Sequence, residues 1–166
     1  MERLWAPWRL EYIAGEKSGG CIFCDKPLEE NDRANHILRR GVHSFVLLNA
    51  FPYNNGHLMI APYAHLSELD ELPPETLVEM MELCQDATRA LKLAMGPDGF
   101  NVGFNLGAAA GAGIKDHLHL HVVPRWAGDT NFMPVLADVR VVPQSLERAW
   151  EVIGLAFRKI QQGDST

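Results

Sequence analysis

Between residues 73 and 95 apolar side chains return at every third or fourth position: Leu77, Met80, Met81, Cys84, Ala87, Leu91 and Met95. That period lays them along one side of a helix and predicts an amphipathic α-helix over 73–95. Proline is tolerated in its first turn, and Gly96-Pro97 ends it. A second stripe, Leu146, Ala149, Trp150, Ile153 and Phe157, predicts a helix over 145–160. Elsewhere the apolar runs are short and read as strands: HILRR (36–40), SFVLLNA (44–50), HLMIA (57–61), FNVGFNL (100–106) and HLHLHVVP (117–124). PYNNG (52–56) reads as a turn, since Asn and Gly tolerate positive φ. The first twenty residues, broken by Pro7, Gly15, Gly19 and Gly20, read as an irregular arm whose Trp5 and Trp8 need a surface to cover. With about five strands, one long helix, one C-terminal helix and no internal repeat, the pattern predicts a single α+β domain with an antiparallel sheet.

Bulk properties agree with one soluble domain. The 166 residues suffice for one hydrophobic core. A net charge of −6 argues against broad electrostatic binding to nucleic acid or an anionic membrane. It leaves room for a small polyanion, which needs only a local pocket of N–H groups and imidazoles. No run reaches the ~20 apolar residues of a membrane span, and the N-terminal region lacks the apolar core of a signal peptide. The expected location is cytoplasmic.

The strongest chemical signal is HLHLHVV. A strand's period of two puts His117, His119 and His121 on one face and Leu118, Leu120 and Val122 on the other. The apolar face packs into the core, so the imidazole face lines a polar cleft, binds a metal or does chemistry. The preceding loop, GAAAGAG (107–113), lets backbone N–H groups approach an anion closely, as phosphate-holding nests do. A neutral histidine beside such a loop is a competent nucleophile at phosphorus when a neighbour orients its other nitrogen. Glycine N–H groups and a second imidazole can stabilise the charge that develops.

Here the sequence resembles a known family. DHLHLHVVPRW matches the His-φ-His-φ-His-φ-φ signature of histidine triad (HIT) proteins, and the likeness extends through LLNAFPYNNGHLMIAPYAHLSEL and NVGFNLGAAAGAGIKDHLHLHVVPRWAGDTNF. It is most similar to the bacterial branch of diadenosine tetraphosphate phosphorylases. The resemblance implies a HIT-like fold with the sheet extended across a homodimer, and one HIT domain over 1–166. Within it, 1–20 is an arm, 21–126 a catalytic core and 127–166 a C-terminal extension. By position, it implies that His119 is the nucleophile on the α-phosphorus, that His121 contacts phosphate or assists the leaving group, and that His57 is the family's fourth histidine. Asn105 falls at a phosphate-contacting position and Asn49 where an Asp or Asn holds the ribose. Related enzymes often have Ser, Thr or Gln four or five residues before the first triad histidine. Here those positions are Ala112 and Gly113, so phosphate contacts would come from backbone N–H groups of Gly111 and Gly113. The implied substrates are adenine nucleotides or dinucleoside polyphosphates, with inorganic phosphate or water as second substrate. Hydrolysis of dinucleoside polyphosphates or phosphoramidates, a metal-centred enzyme using all three histidines, and a non-catalytic nucleotide binder are the alternatives.

Cys21 and Cys24 form a C-x-x-C, a metal half-site or a redox pair; Cys84 lies within the helical stripe and reads as a small buried side chain. The resemblance offers His65 and His117 as further ligands. Two thiolates and two imidazoles would make a closed, structural zinc site, one per chain. His36 and His43 have no matched role and read as surface or structural.

Overall fold

The computed structural model describes residues 20–129 and 144–163, so the arm with Trp5 and Trp8 lies outside the described residues. Five strands, β1 (Ile37–Arg40), β2 (Ser44–Leu48), β3 (Leu58–Pro62), β4 (Gly99–Phe104) and β5 (Leu120–Arg125), form one antiparallel sheet in the order β1-β2-β3-β5-β4. Among the described residues three α-helices accompany it: α1 (Ile22–Leu28), α2 (Pro74–Met95) and α3 (Leu146–Gln161). All the neighbouring strands run antiparallel.

Both faces of the sheet centre are covered, and strand alternation decides which residues go where. Val46, Leu48, Leu58, Ile60, Leu118, Leu120 and Val122 pack with Met80, Leu91, Ile153 and Phe157 of α2 and α3. Phe45, Leu47, Met59 and Ala61 face the other way and cluster with Ile37 and with Phe23 of α1. β2 and β3 are therefore buried along their whole length, which explains their continuous apolar runs.

The helices keep their expected bounds, with two differences. In α2 the buried face comprises Thr76, Met80, Leu83, Cys84, Ala87, Ala90 and Leu91, so Leu77 and Met81 are exposed. The stripe has turned because α3 and the sheet both pack on it, and small residues such as Ala90 admit close approach. α1 was not foreseen; its single buried residue, Phe23, gives no periodicity, and Pro27 sits inside it. Ser145 caps α3, its hydroxyl accepting from the Arg148 N–H. Glu79 on α2 pins the β1–β2 turn by accepting from the Val42 and His43 N–H groups at 2.6 and 2.7 Å. His43 is exposed there, and half-buried His36 adopts φ 58° just before β1.

The histidine strand begins later than its pattern suggested. β5 opens at Leu120, and His117 to His119 precede the ladder, with the Leu118 N–H bonded to Leu66 O at 2.7 Å. The alternation survives this: the leucines still face the helices.

Candidate active site and metal centre

Three histidines at the end of the β3–β5 ladder define the chemistry. The Tyr53 backbone N–H donates to His57 Nδ1 at 3.0 Å. A backbone amide can only donate, so His57 Nδ1 is bare and Nε2 bears the proton. That proton points at His121 Nδ1, 2.9 Å away. His121 Nδ1 is then the acceptor, and its Nε2 keeps a proton to offer outward. The Asn105 side-chain amide faces that Nε2, with Nδ2 at 3.2 Å; an amide nitrogen only donates, so this tautomer requires the carboxamide turned to present Oδ1 as the acceptor. One amide thus fixes the tautomers of two imidazoles in series. The Tyr53 ring packs over both, at 4.7 and 5.7 Å between centroids.

His119 is set differently. Its Nδ1 lies 2.8 Å from the His117 carbonyl oxygen, which can only accept, so Nδ1 is protonated and Nε2 has a free lone pair. Among the described residues Nε2 has no hydrogen-bond partner. Burial pushes the His119 pKa down, against the opposing effect of that carbonyl bond, and favours the neutral ring. The ring stands edge-on to His121 at 4.8 Å and is covered by Phe23 at 4.8 Å. A neutral imidazole with an unoccupied Nε2, beside an N–H-bearing imidazole, can attack an electrophile while its neighbour stabilises an oxyanion.

His117 turns away from this pair. Its Nε2–H donates to Pro62 O at 2.9 Å, so Nδ1 faces Cys21 Sγ at 3.3 Å, Cys24 Sγ at 3.6 Å and His65 Nδ1 at 3.2 Å. Cys24 Sγ is also 3.3 Å from His65 Nδ1. All four donor atoms lie within 4.8 Å of one another. A tetrahedral zinc, with Zn–S near ~2.3 Å and Zn–N near ~2.0 Å, spaces its ligand atoms about 3.3–3.8 Å apart. Composition and spacing therefore fit a closed N2S2 site and could hold a metal. As a free thiol Cys24 is pushed up to about 11, first by burial and then by the neighbouring Cys21. A bound cation would relieve that cost by holding thiolates.

Of the other expected residues, Asn49 follows β2 directly and sits beside His57: its amide nitrogen lies 3.3 Å from His57 Nδ1, and its oxygen accepts from the Phe51 N–H at 2.9 Å. A cavity of about 230 Å³ adjoins it, bordered by Pro52, Gly56 and, from α3, Leu146 and Ala149. Gly107 and Gly111 bracket a short 3-10 turn with φ of 75° and 83°. Half-buried Gly113 precedes Ile114, which packs on the Phe23 cluster, so the loop's end lies on the histidine side of the sheet. Tyr53 and Phe23 were not foreseen. Tyr53 acts through its backbone, and Phe23 lies inside the C-x-x-C, where only its place between two ligands hinted at a turn onto the site.

A sheet bearing an imidazole with an open Nε2 beside a tautomer-locked pair, with a Cys2His2 cluster next to it that could hold a metal, has the frame of a group-transfer enzyme. The HIT domain model matches residues 31–128, and the chain belongs to that family. It is 40% identical over 155 residues to the AP-4-A phosphorylase of Mycobacterium tuberculosis, a match covering 88% of this chain and 79% of that protein. It is 36% identical over 90 residues to adenylylsulfatase HINT3 of Arabidopsis thaliana, covering 51% and 45%. A zinc-bound histidine triad protein from Mycobacterium smegmatis has a similar structure, with TM-score 0.68 and 26% identity over 87% of this chain and 97% of the other. The chain is thus a nucleotide-processing enzyme. Among the described residues no helix is long and apolar enough to cross a membrane.

Proposed function

We propose that the protein phosphorolyses diadenosine tetraphosphate to ATP and ADP through a nucleotidyl-His119 intermediate. The observation that supports this most directly is the His119 tautomer, with Nδ1–H on the His117 carbonyl and Nε2 bare. His119 Nε2 attacks the α-phosphorus, the bond to the bridging oxygen breaks, and ATP leaves. Inorganic phosphate then attacks the same phosphorus, releasing ADP and the imidazole. His121 offers its Nε2–H to the oxygens that gain charge, and His57 holds His121 in that tautomer. Asn105 contacts phosphate, Asn49 the ribose hydroxyls, and the N–H groups of Gly111 and Gly113 help cradle the phosphates. The 40% identity to an AP-4-A phosphorylase favours phosphate over water as acceptor.

Cys21, Cys24, His65 and His117 would hold one structural zinc. Bound there, the metal supplies rigidity and no chemistry, because four protein ligands leave no open position. The active form is a homodimer. β4 is an edge strand, and Asn101, Val102 and Gly103 on it are exposed, as a strand that continues into a second sheet would be. The enzyme works in the cytoplasm, on a single domain spanning 1–166.

Incubation with diadenosine tetraphosphate, with and without inorganic phosphate, tests the reading. ATP plus ADP only when phosphate is present supports it. ATP plus AMP without phosphate would replace it with hydrolysis, the reading favoured by the sulfatase relative. No turnover of any adenylated compound would leave a nucleotide-binding protein.

A further inference from the structure

The ladder joining β3 to β5 contains three residue pairs and ends where Leu58 faces Val122. His57 lies one residue past that end, where paired strands ordinarily splay, yet its Nε2 meets His121 Nδ1 at 2.9 Å. The loop before His57 therefore needs another tie to β5. Asn54 supplies it. Its side-chain NH2 donates to Pro124 O at 3.1 Å and to Asp129 Oδ2 at 2.7 Å, so both amide hydrogens are used across the gap. Its backbone carbonyl accepts from the His57 N–H at 3.1 Å. The preceding residue, Tyr53, delivers the N–H that fixes the His57 tautomer.

Asp129 is itself held. Arg125 reaches its two oxygens at 2.5 and 2.8 Å, and the Trp126 N–H donates to Oδ2 at 3.2 Å. Arg125 also donates to Asn101 Oδ1 at 2.7 Å, anchoring the group to β4. We propose that Asn54 is a positioning residue: clamped between Pro124 and Asp129, it holds His57 against His121 and so sets the direction of the His121 Nε2–H. Only the catalytic use of that N–H rests on the nucleotidyl-transfer reading. The residue type follows from the geometry. Two acceptors face the side chain, so Asp, which has no donor, would set a carboxylate against an oxygen on each side.

The test uses Asn54→Ala and the near-isosteric Asn54→Asp, with Asn55→Ala as control, because Asn55 bonds to Gln144 and to neither β5 nor Asp129. Each full-length variant is assayed for diadenosine tetraphosphate turnover, and its imidazole nitrogens are read by 15N NMR. The Asn54 variants are expected to lower kcat about ten- to a hundredfold with little change in KM, as misplacing a catalytic group does. Their His57 and His121 signals should shift from single tautomers to mixtures, while Asn55→Ala keeps the wild-type pattern. A folded Asn54→Asp with wild-type tautomer signals and kcat would overturn the proposal, and serves if the alanine variant fails to fold. Should the wild-type protein turn over no adenylated compound, the nucleotidyl-transfer reading falls, and the imidazole spectra alone still decide the role of Asn54.

Discussion

His119 hands its Nδ1–H to the carbonyl oxygen of His117, so the residue whose ring faces the two cysteines also sets the tautomer of the ring that faces His121. The Cys–His cluster that could hold a metal and the proposed nucleophile thus share one short segment. Replacing His119 by alanine removes the bare Nε2 and keeps that segment's backbone. Turnover is expected to fall by about three orders of magnitude or more in a protein that still folds, its melting temperature lowered by the space left under Phe23, as steady-state assays and thermal melts would record. Retained activity would discard His119 as nucleophile.

Metal content offers an independent check. The protein purified without chelators is expected to contain about one zinc per chain, and Cys24→Ser to contain much less. Stripping the ion should lower the melting temperature, since a site that binds only the folded chain stabilises it. Less than about a tenth of an equivalent in the wild type would sink the zinc assignment.

Acid stability reports on the Asp129 clamp. The Arg125 guanidinium holds the Asp129 carboxyl far below the usual carboxylate range. A folded pKa below the unfolded one means the stabilisation is complete above the unfolded value and is lost as pH falls through and below it. The wild type should therefore melt higher than Asp129→Asn at pH 7, and the gap should narrow by pH 3. A gap that does not change with pH would show that the charge contributes nothing.

Gly56 has φ +74°, and a Cβ built on it would lie 2.7 Å from Met95 Sδ and 3.1 Å from a Leu91 methyl. Gly56→Ala is expected to cost about 1–2 kcal/mol from the left-handed backbone alone, with the crowding against Met95 adding to it. Because His57 follows immediately, kcat should fall as well. Denaturant unfolding read beside kinetics would check both, and a neutral substitution would contradict the geometry.

Much of this was legible in the sequence because it depends on local period. The strict alternation in 117–122 separated imidazoles from leucines, and the helical stripes gave α2 and α3 to within a residue or two. The split of three histidines into ligand, nucleophile and phosphate-side partner followed from the resemblance, and the geometry is consistent with it. What stayed hidden depends on tertiary approach. α1 is seven residues long and buries only Phe23, too little for a periodic signal. The rotation of the α2 stripe reflects what packs on it. The tautomers of His57 and His121 come from Tyr53, whose contribution is a backbone amide that no side-chain pattern can reveal. Asn54 looked like one turn residue among several, because its acceptors lie some seventy positions along the chain.

The two imidazoles of the His57–His121 pair are 64 residues apart in sequence. They meet only when β5 docks on β3, after α2, β4 and the glycine loop have been traversed, whereas β1, β2 and β3 can form from near neighbours. Such non-local contacts pay their loop-closure entropy before they return any energy. A chain caught before that docking has no oriented imidazole pair, so a long-range step of folding is also the step that arms the protein.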